Sequence, residues 1–404
     1  MKTILVSAYA INPYKGSEDG TGWNLVLQIA RFQKVIAITR ENNRSHIERY
    51  LLAEPNVLYK NISFLYFDTP KWMRFWKRGE RGAMLYYLLW QYFLPAFIKK
   101  KEIDFDLVHN LNFHNDWSPS WLWKLKKPMV WGPVGHHPII PKEYISNGRI
   151  EKVKDHLKWM VKNYFWKYDP FLKKTLHNTS KVLAMHSQVE KVLGLEKEKI
   201  VYLSQVGATD VNYVEKTEPD EFVVLSVGRF VTLKGFDIAI KAFAKFYHSL
   251  NQEQKKKVKF KIIGKGPEEN KLIGLALKFK VKDSVEFVKW MSKSDLKKEY
   301  ENASVFLFPS HEGAGMVVAE ALSYGIPLLC FDNCGPGELA GFSGMKVPYS
   351  SPEKSINGFA KHLQTLYTDP FLLQIMSKVA RERFESQFRW DRKGDILKEV
   401  YAQL

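Results

Sequence analysis

The chain opens with a strand-like apolar run, "KTILVSAY", and a turn-rich loop, "NPYKGSEDGTG". "WNLVLQIARF" follows with helical spacing, and "KVIAIT" reads as a second buried strand. This order constrains the fold most, because neighbouring parallel strands need a long crossover, usually a helix. "NISFLYF", "FDLVHNLN", "KPMVWGPVG" and "KVLAMHS" continue the pattern. "YLSQVGATDVNYVEKTEPDE" interrupts it: polar, turn-rich, with Pro219 among acids, it reads as a linker. A second series runs from "FVVLSVGRF" through "KVKFKIIGKG", "SVEFVKW" and "SVFLFPS" to "PLLCF", with helical segments between. The expected class is α/β, with two Rossmann-like parallel-sheet domains, which suits 404 residues.

In open parallel sheets, ligands bind outside the carboxyl ends of the strands. Gly16, Gly132 and Gly135 in the first half, and Gly228, Gly264, Gly266, Gly313 and Gly315 in the second, fall in such strand-end loops. With two such domains, the expected site is a cleft that they face across.

Three loops carry the candidate chemistry of the second half. In "LSVGRFVTLKG", Arg229 and Lys234 stand between a strand and a helix, where loop amides, the helix dipole and two cations together suit an anion. The bland alternative is two solvated cations in a βα loop, and there is no P-loop spacing. "IIGKGPEE" fails G-x-G-x-x-G, because Glu269 stands at the last position, and a tight turn explains it. "PSHEGAGMVVAEALSYG" is the exit loop of a strand followed by a helix that stops before Pro327. It places Glu312 in a glycine-flanked turn and Glu320 in the helix, with the amides of Gly313, Ala314, Gly315, Met316 and Val317 between. Two carboxylates and a row of amides suit a ligand with hydroxyls at both ends and a diphosphate between, as in a nucleotide sugar. One capping acid and one surface acid is the alternative.

In the first half, His109 and His114 lie in one strand-end region, and His136 and His137 in another. No carboxylates at ligand spacing accompany them, so a metal is not expected. Hydrogen bonding to sugar or phosphate is the functional reading.

The formal net charge of +18 calls for an anionic partner. No helix-turn-helix, RRM or zinc pattern supports nucleic acid. The excess concentrates at 71–101, where eight basic residues face one acid, Glu80, amid "WMRFW" and "MLYYLLWQYFLPAFI". One reading docks this stretch on an anionic membrane surface; the other makes its aromatics core. The run from Ala83 to Ile98 holds Gln91 and Pro95 and is too short to span a bilayer. "MKTILVSAYA" reads as a buried strand rather than a signal peptide. Two cysteines, Cys330 and Cys334, suit a reducing compartment. The expected location is cytoplasmic, with attachment to the inner membrane face left open.

Taken together, the motifs resemble the retaining glycosyltransferases of family 4, which have the GT-B fold. The E-x7-E pattern of Glu312 and Glu320 is the most specific element. "LSVGRFVTLKGFDIAIKAF", "KIIGKGPEENKL" and "VEFVKWMSKSDLKKEYENASVFLFPS" match in order and spacing. "GSEDGTGWNLV", "VHN" and "PMVWGPVG" resemble the branch that acts in bacterial surface-polysaccharide assembly.

The resemblance implies transfer of a hexose from a nucleotide sugar to a glycan or lipid-linked hydroxyl, with retention and without cofactor or metal. It implies that Arg229 and Lys234 bind the diphosphate and Glu312 the donor sugar. The amides of Gly313 to Val317 would hold sugar and phosphate, Glu320 the ribose, and Gly16 the phosphates. His109 or His114, with His114 preferred, would lie near the reacting sugar. "FRWDRKGDILKEVYAQL" resembles the family's last helix. The implied domains are 1–205 together with 385–404, and 206–384.

Three departures stand out. His136 and His137 follow "GPVG" where two glycines are usual, which bears on the acceptor side. "FVKW" lacks a glycine near the base pocket, and "SQVGATD" replaces Asn-Gly-Val-Asp. A nucleotide-sugar epimerase or phosphorylase of the same architecture, and a basic nucleic-acid-binding protein, are the alternatives.

Overall fold

The computed structural model describes residues 1–79, 81–113, 115–145, 148–215, 220–289 and 291–404. By its contacts the chain divides into two units. The first comprises residues 1–136, 159–205 and 390–404, and the second residues 137–158 and 206–389.

The first unit is built on β1 (Thr3–Ser7), β2 (Lys34–Thr39), β3 (Ile62–Tyr66), β4 (Leu107–Asn110), β5 (Met129–Val134), β6 (Lys181–Ala184) and β7 (Ile200–Tyr202). All seven pair parallel, in the order β3-β2-β1-β4-β5-β6-β7. "KTILVSAY" is thus an interior strand, β1, between β2 and β4. The strand order reverses there, so the loops leaving β1 and β4 flank a topological switch point.

The helix Ala83–Lys100 buries Tyr86, Tyr87, Trp90, Leu94 and Ile98 against this sheet. For these aromatics of the 71–101 stretch the core reading holds. Trp72 and Phe75, ahead of the helix, are 73% and 78% exposed. The last helix, Trp390–Ala402, packs on the helix Ser17–Ala30 within the same unit. No helix among the described residues is long and apolar enough to cross a membrane.

The second unit is built on β8 (Phe222–Val227), β9 (Val258–Ile263), β10 (Val285–Val288), β11 (Val305–Phe308), β12 (Leu328–Phe331) and β13 (Gly344–Val347). They run parallel in the order β10-β9-β8-β11-β12-β13, reversing between β8 and β11. Every residue of β8, β11 and β12 is buried, as expected where helices cover both faces of a parallel sheet. The core is rich in phenylalanine, with Phe230, Phe236, Phe243, Phe246 and Phe260 at most 1% exposed.

Tyr144, in the segment 137–158, packs into the core of this unit. Its hydroxyl pairs with Ser355 Oγ at 2.7 Å, and its ring packs edge-on against His311, Phe331 and Tyr349. No composition shift marks this insertion in the sequence. Of the stretch read as a linker, 216–219 lie outside the described residues.

Candidate functional site

The loops leaving β8 and β11 meet at the switch point of the second sheet. Gly235 makes the meeting possible: its φ is +67°, and a Cβ there would lie 2.0 Å from the Pro309 carbonyl oxygen. The His311 amide donates to the Leu233 carbonyl at 2.9 Å, and Ser310 Oγ donates to the same oxygen at 3.2 Å. Lys234 Nζ and Glu312 Oε1 form an ion pair, and Ser310 Oγ also donates to that carboxylate oxygen at 3.0 Å. Asn333 Nδ2 donates to the Ser310 carbonyl at 2.9 Å and holds the turn from the β12 side.

Arg229 is exposed, and its guanidinium has no partner among the described residues. The "IIGKGPEE" loop is laced to the same region. Phe230 donates from its amide to the Lys265 carbonyl at 3.0 Å, and Glu268 from its amide to the Phe230 carbonyl at 3.1 Å.

The helix Met316–Ser323 begins after Gly315. The amides of Gly313, Ala314 and Gly315 have no acceptor among the described residues. Amides left open at a helix start are the kind of group that suits an anion, and the ion pair with Glu312 brings Lys234 to the same turn. Glu320 Oε2, within the helix, accepts from Tyr300 Oη at 2.9 Å. Tyr300 is 3% exposed and stacks on Tyr324 with centroids 5.3 Å apart. Burial first, and the Glu320 charge second, raise its phenol well above the ordinary range. His311 is stacked against Phe331 and Tyr349, and burial lowers it to about 4, so it is neutral at pH 7. Trp290 of "FVKW" lies outside the described residues.

In the first sheet, Gly16 caps the helix Ser17–Ala30 and is exposed, and a Cβ there would meet nothing within 4 Å. Glu18 turns its carboxylate inward, accepting from the Phe113 amide at 3.3 Å and from Gln205 Nε2 at 3.2 Å. Burial raises this carboxyl, against the pull of those two hydrogen bonds. Phe113 sits at φ +64°, a region costly for a bulky residue, and Glu18 holds its amide there. His114 lies outside the described residues.

His109 has a different place from the one expected beside a reacting sugar. It is fully buried in β4, with Nδ1 on Tyr401 Oη at 2.6 Å and Nε2 on the Gly132 carbonyl at 2.8 Å. Both ring nitrogens serve the core, which leaves none for a ligand. His136 is 8% exposed, with Nδ1 2.6 Å from Asp116 Oδ2. His137 is exposed and begins the second unit.

Ser310, Asn333, Tyr300, Glu18 and Asp116 join these sites without a role assigned by any motif of the sequence. Only Glu18 carried a signal, as the acid inside "GSEDGTGW"; the others become visible through contacts far apart in the chain.

A cavity of about 1010 Å³ in the second unit is lined by Lys259, Lys261, Glu286, Ser304 and Tyr324 among others. Apart from Tyr324, which stacks on Tyr300, none of the residues described above lines it, so cavity size does not mark the candidate site here.

Residues 212–383 match the family model described as "Glycosyl transferases group 1". The chain is 31% identical over 203 residues to an uncharacterized glycosyltransferase of Haemophilus influenzae, covering 48% of this chain and 54% of that protein. It is 31% identical over 208 residues to the putative colanic acid biosynthesis glycosyltransferase WcaL of Escherichia coli, covering 48% and 49%. The chain thus spans about half the length of these curated relatives. Among solved structures, Anabaena Alr3699/HepE in complex with UDP aligns over 100% of both chains, with a TM-score of 0.63 and 15% identity. At that identity the likeness speaks for the fold alone, and the two parallel-sheet units are those of the GT-B fold.

Proposed function

We propose that this chain is a retaining hexosyltransferase of family 4, moving a hexose from a nucleoside-diphosphate sugar to a hydroxyl of a glycan or lipid-linked acceptor. The observation that carries the reading is the arrangement at the second switch point. The Lys234–Glu312 pair and the unpaired amides of Gly313 to Gly315 share the strand-end loops where a parallel sheet receives its ligand, and the exposed Arg229 belongs to the β8 loop among them. Relatives named for colanic acid biosynthesis, and a neighbour of the same fold solved with UDP, support a nucleotide-sugar donor and a role in bacterial polysaccharide or glycoconjugate assembly.

In this reading Arg229, Lys234, the helix amides and Gly16 hold the diphosphate. Glu312 contacts the donor sugar, and Glu320 the ribose. His114 lies near the reacting carbon, and His136 and His137 on the acceptor side. The acceptor oxygen bonds to C1 of the hexose, and the bond from C1 to the diphosphate oxygen breaks with its electron pair. The acceptor's proton passes to the departing phosphate on the same face. Arg229, Lys234 and the helix amides stabilise the charge that develops on the diphosphate. No cofactor or metal has a part in this scheme.

The reading extends to a cytoplasmic place at an anionic membrane face. Trp72 and Phe75 stand exposed beside Lys71, Lys77, Arg78 and Arg81, and no nucleic acid is involved.

The test is thermal-shift binding of UDP, GDP and ADP and their sugar conjugates to wild type and Glu320→Ala. One nucleotide series should raise the wild-type melting temperature and lose that effect in the variant. Silence across the whole panel would overturn the donor reading. For retention, the anomeric configuration of the product is compared with that of the donor by NMR.

A further inference from the structure

We propose that Asp116 and His136 form a positioning dyad that presents one imidazole nitrogen, His136 Nε2, to a sugar hydroxyl of the acceptor. The proposal rests on the reading of the first sheet's carboxyl edge as the acceptor side.

β4 and β5 are neighbours, so the loops that leave them lie side by side. Asp116, in the loop after β4, donates from its amide to the Gly135 carbonyl at 3.3 Å. Its Oδ2 lies 2.6 Å from His136 Nδ1. The His136 amide donates to His186 Nε2 at 3.2 Å. Trp166 covers one face of the ring, with centroids 5.5 Å apart and planes 28° from parallel. The imidazole is therefore held by a carboxylate, by its own backbone and by an indole.

An ionised carboxylate only accepts hydrogen bonds, so the contact places the hydrogen on Nδ1. In the neutral ring, Nε2 is then an acceptor. It has no partner among the described residues, and about 10% of the side chain is open to solvent.

The contrast with His109 is informative. There both nitrogens are taken and nothing is exposed. At His136 one nitrogen is fixed and the other is left open. Asp116 is 1% exposed, and its Oδ1 has no partner among the described residues. A buried carboxylate oxygen without a donor works against stability, as expected of a group kept for what it orients.

The charge selects the ligand class. Asp116 with neutral His136 is a net anion, and with a protonated ring the dyad is only neutral. Phosphate is disfavoured, and a hydroxyl that donates to Nε2 is favoured.

The test uses protein labelled with 15N at histidine and long-range proton–nitrogen NMR, with methyl glucoside, methyl galactoside, methyl N-acetylglucosaminide and inorganic phosphate as probes. Neutral His136 should carry its hydrogen on Nδ1. At least one methyl glycoside should shift the His136 ring signals saturably, and phosphate should not. Asp116→Asn should weaken that glycoside at least tenfold. His136→Asn keeps a donor for Asp116 but lacks the open nitrogen; it should fold, by its circular dichroism melt, and lose the glycoside. This second variant decides the matter if the first fails to fold.

A hydrogen on Nε2, ring signals unmoved by every glycoside, or a response to phosphate alone overturns the proposal. UDP thermal shifts measured on the same samples report the donor site separately, so failure of the donor reading is distinguishable from failure of the dyad.

Discussion

Lys234 Nζ and Glu312 Oε1 pair across 78 positions of sequence, while the Arg229 guanidinium in the same strand-end loop has no partner among the described residues. At rest, then, Lys234 is already neutralised and Arg229 holds the uncommitted charge. Arg229→Ala should weaken UDP at least tenfold, since a charge-assisted hydrogen bond contributes about 1.5–3 kcal/mol. Uridine, which lacks the diphosphate, should bind both proteins equally. Calorimetric titration of both ligands separates the cases, and an equal loss for uridine would place Arg229 away from the phosphates.

Tyr300 reaches Glu320 from the helix Lys293–Asn302, and at 3% exposure it has almost no surface of its own for a ligand. Its effect must pass through the carboxylate. Tyr300→Phe removes one hydrogen bond, which contributes about 1 kcal/mol, and should weaken nucleoside diphosphates several-fold. Ligands lacking the ribose hydroxyls, such as pyrophosphate, should be unaffected. If 2′,3′-dideoxy-UDP loses as much affinity as UDP, Tyr300 is not acting through the ribose contact.

His311 gives the second unit a pH dependence. Its ordinary value is 6.5, and burial brings it to about 4 in the native state. Between those two values the unfolded chain binds a proton that the native chain refuses. Stability contributed by the neutral ring is therefore complete above pH 6.5, falls as the pH drops toward 4 and levels off below. The full effect is on the order of 3 kcal/mol, from about 1.4 kcal/mol per pH unit. Urea unfolding at pH 7, 5.5 and 4.5 should show a shallower acid loss in His311→Gln than in wild type. Parallel curves would mean that His311 titrates near its ordinary value.

The alternation of strand and helix was legible because parallel strands buried on both faces are continuous apolar runs, and β8, "FVVLSV", is short, β-branched and closed by a glycine. The turn around Glu312 was legible because glycine spacing and helix-start chemistry are local. What escaped was long-range. Nothing near Asp116 in sequence announces that His136 will meet it across two adjacent strands, and nothing near Tyr144 announces that its ring will dock beside His311. The surroundings of His109 are long-range too: its partners are Tyr401, at the far end of the chain, and a backbone carbonyl of β5. The 71–101 stretch divided because a single composition covers two environments, a buried helix face and an exposed segment before it.

That division makes the membrane reading testable. Trp72 and Phe75 are exposed, with Lys71, Lys77, Arg78 and Arg81 beside them in sequence, and Leu85 and Tyr92 lie on the outer face of the following helix at 61% and 45% exposure. Aromatic rings favour the membrane interface and the cations favour anionic headgroups, each cation contributing about 1 kcal/mol near such a surface. Wild type should float with vesicles containing phosphatidylglycerol at low salt, and release as salt rises. Trp72→Ser with Phe75→Ser should abolish flotation while leaving the melting temperature within a degree or two. Trp90→Ala should do the reverse, because Trp90 is fully buried and its truncation costs about 3–5 kcal/mol of stability. Wild-type protein that stays at the bottom of the gradient at low salt would remove the membrane from the reading and leave the two exposed rings to bind a soluble glycan.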